Sequence, residues 1–151
     1  MPLVVNLQRK VDIKEIDLRP FAATLATSVK EAEGSDFSVA FVSDRRMKEL
    51  NQMFRGKNMT TDVLSFPNEN DEFQHFDSLN DPDTSRSAQL GDIVISVEQA
   101  ARQAAENGLS LELEIKQLML HGVLHLCGYD HETDRGEMNK RELELRDKLG
   151  I

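Results

Sequence analysis

Three histidines define the chemistry open to this sequence. Residues 119–131 read Met-Leu-His-Gly-Val-Leu-His-Leu-Cys-Gly-Tyr-Asp-His and hold His121, His125 and His131, three of the four histidines in 151 residues. His121 and His125 are four apart, so on a helix they point the same way, about one turn (~5–6 Å) from each other. Gly128 offers a place for the helix to stop and the chain to turn back, and His131, three residues on, can then face the other two. Three imidazoles on one ion with a position left free is the catalytic zinc pattern; structural zinc sites usually close with four protein ligands. Such a nitrogen-rich, borderline-soft set suits one Zn²⁺ per chain, with Ni²⁺ or another divalent transition metal chemically acceptable. An ion held this way polarises a phosphoryl oxygen or brings the ionisation of a water to about pH 7.

A lone histidine on an apolar helix is ordinarily a hydrogen-bonded core residue, but the three together call for more. Leu118, Met119, Leu120, Val123, Leu124, Leu126 and Cys127 make the helix apolar nearly all round, which predicts burial. Each imidazole on it needs a partner or costs about 1–3 kcal/mol of desolvation, and a shared ion satisfies both. Cys127 is a possible fourth ligand on paper, but it lies about 200° round from His125 and reads as a small core residue. The spacing His-x3-His-x2-Gly-x2-His matches the metzincin zinc signature H-E-x-x-H-x-x-G-x-x-H. Gly122 stands where that signature has its general-base glutamate, which weighs against peptidase chemistry. A glycine there is also expected to clear space beside the metal for a bulkier substrate group.

The elements that must hold this segment follow from periodicity. Leu3 to Leu7 reads as a strand. Pro20 suits the first turn of a helix whose apolar positions are Phe21, Ala22, Leu25, Ala26 and Val29, with Gly34 as its stop. A strand over 37–42 follows. Ser43 then caps a helix with Met47, Leu50 and Phe54 as its inward stripe, ending near Arg55-Gly56. Residues 61–67 read as a third strand closed by Pro67, and 89–96 as a fourth. Ser96 with Gln99 predicts a capped helix ending at Asn107-Gly108, Ser110 caps the histidine helix, and a last helix over roughly 133–149 places Met138, Leu145 and Leu149 on a narrow stripe. The class is α+β: a small mixed four-stranded sheet packed with about five helices. The helix-linked early strands are expected to be parallel, and the fourth, reached by a loop, antiparallel.

Bulk properties narrow the partners. With 39% apolar and 30% charged residues and no apolar run near ~20 residues, no membrane partner is expected. The first ten residues lack the order of a secretory leader, and a single cysteine fits a reducing, cytoplasmic setting. The net charge is −9, yet residues 68–86 carry six carboxylates against one arginine, while residues 44–57 carry five cations against two carboxylates. The first stretch reads as a long surface loop, the second as a basic patch that leaves nucleic acid open as a partner.

Three stretches in order resemble the YbeY family of rRNA-processing endoribonucleases: Arg55-Gly56-Lys57 with Thr61-Asp-Val-Leu-Ser-Phe-Pro67, Leu90-Gly-Asp-Ile-Val-Ile-Ser96, and His121-Gly-Val-Leu-His-Leu-Cys-Gly-Tyr-Asp-His131. The chain departs from the family at Asn58-Met59-Thr60, where members commonly carry an acidic residue, a basic residue and proline. The resemblance spans essentially the whole chain and implies one zincin-like, metal-dependent hydrolase domain over residues 1–151. It implies His121, His125 and His131 as metal ligands, usually for zinc, and Arg55 as an arginine assisting catalysis. It also implies cleavage of single-stranded RNA, maturation of the 16S rRNA 3′ end, ribosome quality control, and association with the ribosome or its proteins. Asp62, Asp130 and Glu137 are all conceivable general bases. The alternatives are a zincin-like metalloprotease and a non-catalytic, metal-stabilised ribosome-binding module.

Overall fold

A computed structural model of the chain describes residues 2–68, 88–130 and 132–151. His131 and nearly all of the acidic stretch 68–86, expected as a surface loop, lie outside the described residues. The described elements run β1 (Leu3–Asn6), α1 (Glu15–Ser28), a 3₁₀ turn (Lys30–Ala32), β2 (Ser35–Val42), α2 (Asp44–Arg55), β3 (Val63–Pro67), β4 (Ala88–Ser96), α3 (Val97–Asn107), α4 (Leu111–Leu126) and α5 (Glu137–Leu149). The α+β class and the four-stranded mixed sheet are as expected.

Strand order is β1-β2-β4-β3. β1 and β4 both lie parallel to β2, and β3 is antiparallel to β4. The expected antiparallel pair is present, but β3 is the reversed strand, and β4 inserts between β2 and β3. β3 therefore forms an edge of the sheet, where Pro67 costs no central ladder bond. Gly91 makes the close β3–β4 approach feasible, because a Cβ there would lie 2.2 Å from the Phe66 carbonyl oxygen, and its φ is +143°.

Alternation along the strands sends side chains to two faces. Val39, Phe41, Ile93 and Ile95 meet α1 and α4 in the larger core. Val42, Leu64 and Val94 meet Met47 and Leu50 of α2 on the other face. Two helix expectations are corrected. α1 begins at Glu15, so Pro20 sits inside it rather than in its first turn, on an exposed side where the missing N–H faces no packed neighbour. In α2, Met47 and partly Leu50 turn inward as expected, the buried Asn51 lies beside them, and Phe54 stays largely exposed. The serine caps hold: Ser43, Ser96 and Ser110 accept from the backbone N–H groups of Arg46, Gln99 and Leu113.

α4 runs through the centre. Ile115, Leu118, Met119, Leu120, Val123, Leu124 and Leu126 are all buried, as its all-round apolar sequence predicts. Its end is tied off when Gly128 donates to the His125 carbonyl and Tyr129 to that of Leu124.

Candidate metal centre and phosphate cleft

Helical spacing turns the two α4 histidines to one side. Their Nε2 atoms are 3.1 Å apart with the rings inclined at 76°. Nitrogens about 2.0–2.1 Å from a shared ion would sit roughly 3.0–3.4 Å apart in near-tetrahedral geometry, so the spacing fits a metal. Both imidazoles are half-buried rather than interior, and both line one cleft.

His121 is set by a residue that sequence reasoning missed. Glu142 of α5 is 8% exposed, and its Oε1 lies 3.0 Å from His121 Nδ1. Burial would raise its pKa, but the hydrogen bond from His121, with the nearby charge of His121, Arg146 and His125, outweighs that and holds it below the usual carboxylate value. An ionised carboxylate only accepts, so the proton in this hydrogen bond sits on His121 Nδ1, and in the neutral imidazole Nε2 is left with its lone pair for an ion. That is the carboxylate–histidine arrangement which orients metal-ligating imidazoles. The signal was present in the sequence: Glu142 falls on the same α5 stripe as the buried Met138 and Leu145.

The cleft measures about 680 Å³ and is lined by Arg55, Lys57, Asp62, Ser65, His121 and His125, among others. Arg55 at the end of α2 and Lys57 just beyond it therefore border the same cleft as the histidines. Neither has a carboxylate partner among the described residues. Asp130 and Glu132, the residues on either side of His131, also line the cleft. Of the conceivable bases, Asp62 and Asp130 are in the cleft. Asp62 Oδ1 accepts from the Val63 N–H at 2.8 Å, and Asp130 Oδ1 accepts from that of Glu132 at 3.0 Å. Glu137 lies in a neighbouring hollow and accepts from the Arg135 N–H at 2.6 Å.

Two non-ligands are now placed. Cys127 is outside the cleft and partly buried against the core, and burial, reinforced by the charge of Glu31, pushes its thiol up to about 11. Gly122 does not clear space beside the metal as expected. It faces β4, where an added Cβ would lie 2.8 Å from Ile93 Cγ2. A glutamate at this position would drive into Ile93, so the missing carboxylate follows from helix–sheet packing.

Comparison with known proteins agrees with the motifs. The family model described as Endoribonuclease YbeY matches residues 4–150. A relative named Endoribonuclease YbeY from Caldicellulosiruptor bescii is 41% identical over 154 residues, covering 98% of this chain and 96% of its own. Another of that name from Nautilia profundicola is 44% identical over 116 residues, covering 77% and 73% respectively. The solution structure of TM1509 from Thermotoga maritima superposes with a TM-score of 0.63 at 28% identity, covering 99% of this chain and 90% of that one. With a fold, a cleft and a nearly full-length match in agreement, the chain belongs to the YbeY family of endoribonucleases.

Proposed function

We propose that residues 1–151 act as one metal-dependent hydrolase domain that cuts single-stranded RNA, with His121, His125 and His131 holding one Zn²⁺. The observation that carries this reading is the 3.1 Å approach of the His121 and His125 Nε2 atoms in the cleft that Arg55 and Lys57 also line. Nickel or another divalent transition ion would suit the same donors. When bound, the ion supplies Lewis-acid polarisation of a phosphoryl oxygen.

The protein's own groups do the rest. Arg55 offers a planar fork of donors that fits a phosphodiester and offsets the charge growing on it. Lys57 adds a point charge at the same cleft, and Glu142 fixes the ring of His121. Asp62 and Asp130 are both within the cleft as proton acceptors, and either fits the role. The nucleophile is an activated water or the substrate's own 2′-hydroxyl. Family membership supports the 16S rRNA precursor as substrate, acting at 3′-end maturation and quality control in the cytoplasm, with the ribosome or its proteins as partners. Among the described residues no helix is long and apolar enough to cross a membrane.

The test is cleavage of an unstructured RNA by the parent, His125→Ala and Arg55→Ala proteins. His125→Ala should abolish turnover, and Arg55→Ala should reduce kcat by about 10²–10³-fold, the typical cost of removing one donor to transition-state charge. Product ends then distinguish the nucleophiles: a 2′,3′-cyclic phosphate marks the 2′-hydroxyl, and a 5′-phosphate marks water. Undiminished cleavage by both variants would refute the assigned roles.

A further inference from the structure

Seven large apolar side chains stand well exposed among the described residues. Three of them, Met53 at 67%, Phe54 at 60% and Met59 at 59%, occur within the segment that also carries Arg55 and Lys57. The inward line of α2 passes from Met47 to Asn51, and one turn later Phe54 meets the ring of Phe66 on β3 edge-on, with centroids 5.0 Å apart and planes at 67°. The sequence neighbours of this pair lie in the cleft: Arg55 follows Phe54, and Ser65 and Pro67 flank Phe66. Because side chains alternate along β3, the aromatic pair lies on the α2 face of the strand and the cleft on the other; β3 is an edge strand, so no further strand bounds that rim of the sheet. The segment is also held in place. The buried Asn51 donates from Nδ2 to the Met59 carbonyl at 2.9 Å and accepts from the Lys57 N–H at 3.2 Å. Thr60 donates to Asp44 at 3.0 Å.

We propose that Phe54 is a stacking platform for an unpaired base of an RNA strand that leaves the cleft past Arg55 and over the edge of β3. Met53 and Met59 form its apolar flanks, and Arg55 and Lys57 engage the phosphates between that base and the cut bond. This rests on the reading of the cleft as a site for single-stranded RNA and deepens it. Proteins that take single strands combine a basic track with aromatic rings on which bases stack, at a gain that is largely independent of sequence. Arg55 and Lys57, which follow Phe54 and have no carboxylate partner among the described residues, favour a polyanion over an apolar protein partner beside it. The platform also gives single-strand preference a physical cause, because a base held in a duplex cannot leave its stack to cover Phe54.

The sequence contains no tryptophan, so Phe54→Trp places a unique indole on the platform. Stopped-flow emission of the metal-replete variant, read before cleavage, should fall on mixing with an unstructured octanucleotide and stay level with a duplex of the same sequence. Phe54→Ala should raise KM for the octanucleotide roughly tenfold with a smaller effect on kcat. The gap from the parent should narrow as the RNA is shortened to a dinucleotide. Ile16→Ala, an exposed apolar residue on α1, should leave KM unchanged. Matched melting curves establish that the variants fold. An indole silent to RNA, with KM unchanged in Phe54→Ala, would overturn the platform while leaving the endoribonuclease reading intact. Quenching by RNA in a protein that never cleaves would support the platform and sink that reading. Equal quenching by duplex would overturn the stacking assignment.

Discussion

Glu142 meets His121 at Nδ1, the ring nitrogen that does not approach His125. It is buried between Met138 and Leu145 on α5, where an unpaired carboxylate would be costly, and its ionised form is matched by the Nδ1–H of His121. Glu142→Gln removes the charge and keeps the shape. Loss of such an outer partner typically weakens metal binding 10–100-fold. Competition against a chromophoric chelator should show that loss, and unchanged affinity would remove Glu142 from the site. The histidine spacing was legible because helix geometry is local. The role of Glu142 was not, because it depends on α5 folding back across α4, and only its place on an apolar stripe hinted at it.

The decisive contact between elements is α4 against β4. Gly122 lets the helix backbone come close enough that Ile93 fills the place of a side chain, and Ser65 of β3 donates to the Gly122 carbonyl at 3.3 Å. Gly122→Ala should destabilise by about 1–3 kcal/mol, the usual cost of overpacking, despite the better helix propensity of alanine. Ile93→Ala alone should cost about 2–5 kcal/mol. Urea unfolding of the double variant should cost clearly less than the two together, because the clash and the cavity offset each other; strict additivity would contradict the contact. At this scale the serine caps and most strand positions were legible, since caps and alternation are written in neighbouring residues. The insertion of β4 between β2 and β3 was not, because sheet order is set by long-range pairing. Pro20 misled for a related reason: α1 starts five residues earlier, and an exposed side accepts the lost hydrogen bond.

Across the whole molecule, one clamp ties α5 to the segments that follow α1 and α4. Glu31, after α1, accepts from Arg141 of α5 at 2.8 and 3.0 Å and from the Tyr129 hydroxyl, just past α4, at 2.9 Å. The Arg141 hydrogen bond is the main reason its carboxyl falls from 4.5 to about 2. A depressed folded pKa means stability that is fully present above pH 4.5 and lost as pH falls through about 2. Glu31 is 29% exposed, so solvent screening reduces the clamp to about 1 kcal/mol. Glu31→Gln should therefore be less stable than the parent by about that amount at pH 6 in metal-free protein, and the gap should narrow as pH falls towards about 2. A gap as wide near pH 2 as at pH 6 would contradict the pairing. On the proposed function, the histidines hold an ion the reaction requires. Titrating chelator-stripped protein with Zn²⁺ while following cleavage of single-stranded RNA tests it most directly. Activity should be absent at the start and reach a plateau at one equivalent per chain, with no recovery in His121→Ala; full-rate cleavage by the stripped protein would contradict it.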